Sequence, residues 1–239
     1  MKRFILLRAV ALFILCPLAA RVLADGLVVD KVYHPYVDAL EKEIEIRSVF
    51  QDPQPGLTNK AQVHQFSFGT SLSDKVFAEF YLVGGKDRAR GFETEAWEVE
   101  LKWQLTEQGE YAVDWGLLFE YEDEVRDEIQ EISVGLLAEK ELGSWSAAAN
   151  FLVIREWGKD IVAEYETVLN SQLRYRYSPV FEPGVEFYAG QNTLAMGPVL
   201  QGIFSTGIRK SLHWEAGLIF GLDKETADTT WRFLLEYEF

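Results

Sequence analysis

Apolar and polar residues alternate with a period of two along most of this chain. Trp97, Val99, Leu101, Trp103 and Leu105 alternate with Glu98, Glu100, Lys102 and Gln104. Val113, Trp115, Leu117, Phe119 and Tyr121 alternate with Asp114, Gly116, Leu118 and Glu120. The same holds for Tyr165 to Tyr177, for Trp214 to Leu222 and for Thr229 to Phe239. Successive side chains on a strand point to opposite faces, so strict alternation predicts strands with one apolar face, and no helical period fits these stretches. About twelve such segments are predicted, near residues 40–50, 62–72, 76–84, 94–105, 111–121, 129–140, 145–156, 164–177, 184–191, 199–209, 213–222 and 229–239.

Most segments approach the roughly 9–11 residues that a tilted strand needs to cross a bilayer. The two ends of the chain point the same way. Met1-Lys2-Arg3, an apolar run from Phe4 to Ala20 and Val22-Leu23-Ala24 before Asp25 read as a signal peptide over residues 1–24. Beyond it no apolar run reaches the roughly 20 residues of a membrane helix. A membrane protein without such helices must close its strands into a barrel, because lipid satisfies no open sheet edge. Trp231, Phe233, Leu235, Tyr237 and Phe239 share one face of a terminal strand that resembles the insertion signal of bacterial outer-membrane barrels. The resemblance implies recognition by the barrel-assembly machinery.

The expected architecture is therefore an all-β, antiparallel up-and-down transmembrane barrel of about twelve strands over residues 40–239. Residues 25–39 form a periplasmic lead, expected across the periplasmic mouth. Alternate connections should be long and outward-facing (Gln51–Ala61, Gly85–Glu93, Glu122–Glu128, Trp157–Ala163, Asn192–Pro198, Asp223–Asp228) or short and periplasmic (Ser73–Lys75, Thr106–Glu110, Gly143-Ser144, Lys210–Leu212). Ser178–Pro183 is the one long inner turn. Aromatic residues fall at both strand ends, as at membrane interfaces. A soluble sandwich or lipocalin-like barrel leaves that placement unexplained.

Charge and chemistry refine this. Setting aside the leader's Lys2, Arg3, Arg8 and Arg21 moves the net charge from −15 to −19. Such a chain is a poor nucleic-acid ligand. The one cysteine, Cys16, lies in the leader, so the rest has neither a disulfide nor a thiolate metal site. His34, His64 and His213 form no Ser-His-acid or metal-ligating spacing; His64 and Ser67 point to opposite faces. Glu122-Asp123-Glu124 and Asp127-Glu128 suit a hard cation but lack an EF-hand spacing, and a solvated loop bridged to lipopolysaccharide is the favoured reading. No enzyme, metal or cofactor is expected.

The polar faces carry the candidate site. The lumen-lining candidates are Glu98, Glu100, Lys102, Asp114, Glu120, Glu166, Arg174, Arg176, Glu186, Arg209, Glu215, Arg232 and Glu236. Glu131, Glu139, Asp223 and Glu238 share these faces. A mixed, acid-rich lining can select charged solutes in a narrow pore. It can also pair off and fill the lumen.

Leu194-Ala195-Met196-Gly197-Pro198-Val199-Leu200-Gln201-Gly202, then Leu212–Leu222, then the closing strand resemble outer-membrane transporter barrels of Gram-negative bacteria, some named for the meta-pathway of phenol degradation. The likeness covers about residues 180–239, and its motifs are a turn and two strands. It implies fold and location, and carries over no binding residue. The expected function is passive passage of small solutes. The alternative is a closed structural or adhesion barrel, or an anchor for an envelope complex.

Overall fold

The computed structural model describes residues 28–52, 62–86, 91–126, 128–159 and 161–239. The expected signal peptide lies outside these residues, as does Asp127. Twelve strands follow in order: β1 Lys42–Asp52, β2 Gln62–Ser73, β3 Val76–Lys86, β4 Glu93–Gln104, β5 Asp114–Glu124, β6 Ile129–Leu142, β7 Trp145–Gly158, β8 Glu164–Tyr175, β9 Glu182–Ala189, β10 Leu194–Gly207, β11 Lys210–Gly221 and β12 Thr229–Glu238. Each pairs antiparallel with its neighbours, and β1 pairs with β12 to close the barrel. That seam runs from Glu43 opposite Glu238 to Asp52 opposite Thr229.

The alternation decides which face meets which medium. On β12, Trp231, Phe233, Leu235, Tyr237 and Phe239 lie on the outer wall, exposed, while Arg232 and Leu234 are buried within. Exposed Phe66, Phe80, Leu101, Phe151 and Leu173 continue the apolar band around the barrel. An apolar exterior over a polar interior is what a lipid-facing barrel requires. Trp97 packs on Tyr121 near one rim; Trp145 packs on Tyr175 and Tyr237 on Phe239 near the other.

Three expectations need correction. β10 begins at Leu194, so most of the expected outer connection Asn192–Pro198 is strand. Pro198 has no N–H and reads as a breaker. It is tolerated because the β10–β11 register skips Gly197 and Pro198, while both stay opposite β9. What remains outside the strands is a four-residue turn over 190–193, closed by the Gly190 N–H on the Thr193 carbonyl. Second, the inner β4–β5 connection spans 105–113, longer than expected; the Thr106 side chain accepts from the Trp115 N–H there. Tight inner turns do occur elsewhere, as at Gly143-Ser144, where Gly143 supplies a positive φ.

The third correction concerns the N-terminal lead. Residues 28–41 run along the inside of the barrel rather than across its mouth. Val28 lies beside Gly190 at the rim of the longer connections. Pro35 lies against Gly116, where a Cβ would come within 3.0 Å of the Pro35 Cβ. The Val37 N–H donates to Gln104 at the opposite rim, 2.8 Å away. Fourteen residues extend far enough for this, at roughly 3.3–3.6 Å each. We call this segment the strap.

Candidate functional site

The strap makes the lumen a site. Its apolar residues have seats on the inner wall. Val29 and Val32 pack with Ala148, Tyr188, Ala195 and Ile219. Tyr33 packs with Leu118, Leu137, Leu152 and Val168, one residue from each of β5 to β8. Apolar residues on the polar side of four adjacent strands are the one sequence signal that something apolar lies within.

The polar contacts are dense, and they come largely from wall side chains. Asn150 grips the Tyr33 backbone twice, accepting from its N–H at 2.7 Å and donating to its carbonyl at 2.8 Å. Arg232 donates to the Asp30 carbonyl, and the Tyr188 hydroxyl lies 2.6 Å from the same oxygen. The Asp30 carboxylate sits 3.0 Å from Arg47 Nε. His34 Nδ1 is 2.7 Å from Glu139, and the Tyr36 hydroxyl donates to Asp114 at 2.9 Å.

Lys31 occupies the middle of the lumen. Its ammonium is 3.1 Å from Glu45 Oε2 and 3.8 Å from Glu79, and donates to the Tyr81 hydroxyl at 2.8 Å. It also lies over the Tyr33 ring, 4.9 Å from its centroid. Glu45 and Glu79 offset the burial of its charge. The Tyr33 hydroxyl donates to Glu120 Oε1 at 3.3 Å.

Most expected lumen residues lie on the inner wall. Glu98, Glu100 and Glu120 converge, each offering an oxygen within 4.8 Å of the others. Glu186, Arg232 and Glu215 form a buried triad, with Arg232 2.8 Å from each carboxylate. Arg174 bridges Glu139 and Glu182, at 3.4 and 3.5 Å, and Arg176 pairs with Glu141 at 2.7 Å near the short-turn rim. Lys102 lies over the Phe77 ring. Glu236 faces His213 at 3.8 Å, and Glu166 is buried on β8.

Arg209 is the exception. It stands exposed in the β10–β11 turn with φ at 57°, its guanidinium on the Ala39 carbonyl, so it holds the strap's exit rather than lining the pore.

Sequence reasoning missed Glu43, Glu45 and Arg47 on β1, Glu79 and Tyr81 on β3, and Asn150, Gln172, Tyr188 and Gln201 on the far wall. Glu43, Glu45 and Arg47 alternate with Ile44 and Ile46, which was signal enough. The register also brings Ser48 Oγ within 2.8 Å of His64 Nδ1 on the outer wall. Ser48 pairs in the ladder with both His64 and Phe233, and the His64 ring packs against Phe50 and Phe92.

Among solved structures, the barrel is similar to the KdgM porin, with 11% identity over 82% of this chain and 99% of that one and a TM-score of 0.56. An outer-membrane channel from Pseudomonas putida F1 gives 14% identity, 90% and 98% coverage and a TM-score of 0.55. The translocator domain of the autotransporter NalP from Neisseria meningitidis gives 10% identity, 85% and 88% coverage and 0.53. No protein-family model and no curated protein matches the chain. Together with the closed twelve-strand topology, these likenesses define the class: an outer-membrane β-barrel fold.

Proposed function

We propose that the protein is an outer-membrane channel for small solutes, held closed by its own N-terminal strap. The observation that carries this reading is how the strap is held. The wall strands complete their ladder with one another, and β1 closes on β12 without the strap. The strap's grip comes from side chains of Asn150, Arg47, Arg232, Glu139 and Gln104. Such contacts can release without opening the barrel. The fold shared with a porin and a channel supports the same reading. So do the expected signal peptide and terminal strand, which would direct the chain through the assembly machinery into a lipid and lipopolysaccharide outer membrane.

A second reading has its own support. Arg232 and Glu186 are fully buried and mutually paired, as in a permanently filled barrel that serves as an anchor or adhesion element.

Planar-bilayer recording separates the two. The full chain should conduct rarely. Asp30→Ala with His34→Ala, which removes two strap anchors, should raise open probability by at least tenfold. In a Cys16→Ser background, Val28→Cys with Gly190→Cys should lock the strap until reduced. A Cβ at Gly190 would lie 3.4 Å from the Val28 methyls, near disulfide reach. Silence of the loosened variant at every voltage would establish the filled barrel instead.

A further inference from the structure

The carboxylates around Lys31 outnumber it. Glu45 and Glu79 flank the ammonium, and Glu98, Glu100 and Glu120 converge beside them on β4 and β5. Glu45 Oε1 and Glu100 Oε2 are buried without a hydrogen-bond partner. Arg47, the nearest wall cation, is shared between Gln65, Asp30 and Glu45. A buried carboxylate oxygen left without a hydrogen bond is costly. The inner wall therefore presents a cation site, and the strap fills it with one ammonium on a flexible stem.

We propose that this pocket, formed by Glu45, Glu79, Tyr81 and the Glu98–Glu100–Glu120 cluster, is the solute site of the channel, and that its ligand is a primary alkylammonium. Lys31 is a built-in stand-in for that ligand. The proposal rests on the channel reading and names its substrate class. Two features fit an ammonium. The Tyr81 hydroxyl accepts from Lys31 at 2.8 Å while donating to Glu79 at 2.6 Å, so it relays one donor onto a carboxylate. Glu45 accepts a second N–H at 3.1 Å, with Glu79 3.8 Å away as a charge partner, and a primary ammonium has donors for both acceptors. When the strap withdraws, Tyr81 and all five carboxylates stay on the wall, and an amine-bearing solute takes the place of Lys31.

Chemical rescue tests this in the full chain. Lys31→Ala removes three carbons and the ammonium, the outline of n-propylammonium. At concentrations well above its dissociation constant, n-propylammonium should raise the thermal unfolding midpoint of Lys31→Ala by about 3 °C or more. It should leave wild type unchanged, and 1-propanol should do nothing to either. Adding Glu79→Gln should remove most of the rescue. If Lys31→Ala folds poorly, the same amine should restore its refolding yield, read by heat-modifiable gel mobility. In parallel, spermidine should reduce current through the Asp30→Ala, His34→Ala variant at least fivefold.

No shift, an equal shift in wild type, or an equal shift with 1-propanol would overturn the site. Conduction that is insensitive to spermidine would do the same while leaving the channel intact. Amine rescue without current in any strap variant would preserve the site and overturn the channel.

Discussion

The strap lies between two charged clusters that differ in kind. On the β9–β12 wall, Arg232 pairs with Glu186 and Glu215, and Gln172 and Tyr188 occupy Glu186 further. Both Glu186 oxygens have partners. On the β1–β5 wall, Glu45, Glu79, Glu98, Glu100 and Glu120 face one lysine and a shared arginine, and two of their buried oxygens have no hydrogen-bond partner. A buried carboxylate with both oxygens bonded fixes a structure, although Arg232 Nε on the same wall has no hydrogen-bond partner. An under-neutralised cluster stores a demand for positive charge. Two glutamates with similar burial, Glu186 and Glu100, should therefore respond to substitution with opposite signs.

The largest effect should come from Arg232→Met. It leaves Glu186 and Glu215 buried without their cation, which typically costs about 3–5 kcal/mol. Urea unfolding in lipid vesicles would read the loss, and a change within error would show that the triad is not a structural unit. A finer contrast pairs Glu186→Gln with Glu100→Gln. The first should cost about 1.5–3 kcal/mol, since it weakens hydrogen bonds to a charged group. The second should be neutral or stabilising by up to about 1 kcal/mol, because it relieves the crowding of three buried carboxyls whose oxygens lie within 4.8 Å of one another. The same sign in both would erase the distinction between the walls.

The barrel itself was legible because lipid and lumen impose a period of two on every strand. Trp231 to Phe239 showed this most clearly, and the β12 boundaries fall within one residue of expectation. The start of β10 was less legible, since Gly197-Pro198 carries the local mark of a turn and only the skipped register makes it a strand. The strap was illegible for a different reason. Val29, Val32, Tyr33 and Val37 follow no period, and their partners lie far away in sequence, as Tyr33 does from Asn150 and Asp30 from Arg232. Leu118, Leu137, Leu152 and Val168 pointed inward without an evident reason. They marked the site by being apolar where charge was expected.

Leu40 carries more than its own conformation. Its φ of 67° reverses the chain between the strap and β1, a geometry that is uncommon for a leucine. The hairpin it makes folds the strap back against the inner face of the first strand, whose two edges are held by β2 and β12. The seam is made by backbone groups of β1 that the strap does not use, so a strap hinged at Leu40 can enter or leave a barrel that is already closed. Leu40 thus works as a tether: whatever the strap does, it does as part of the same molecule, at a local concentration set by one turn rather than by diffusion.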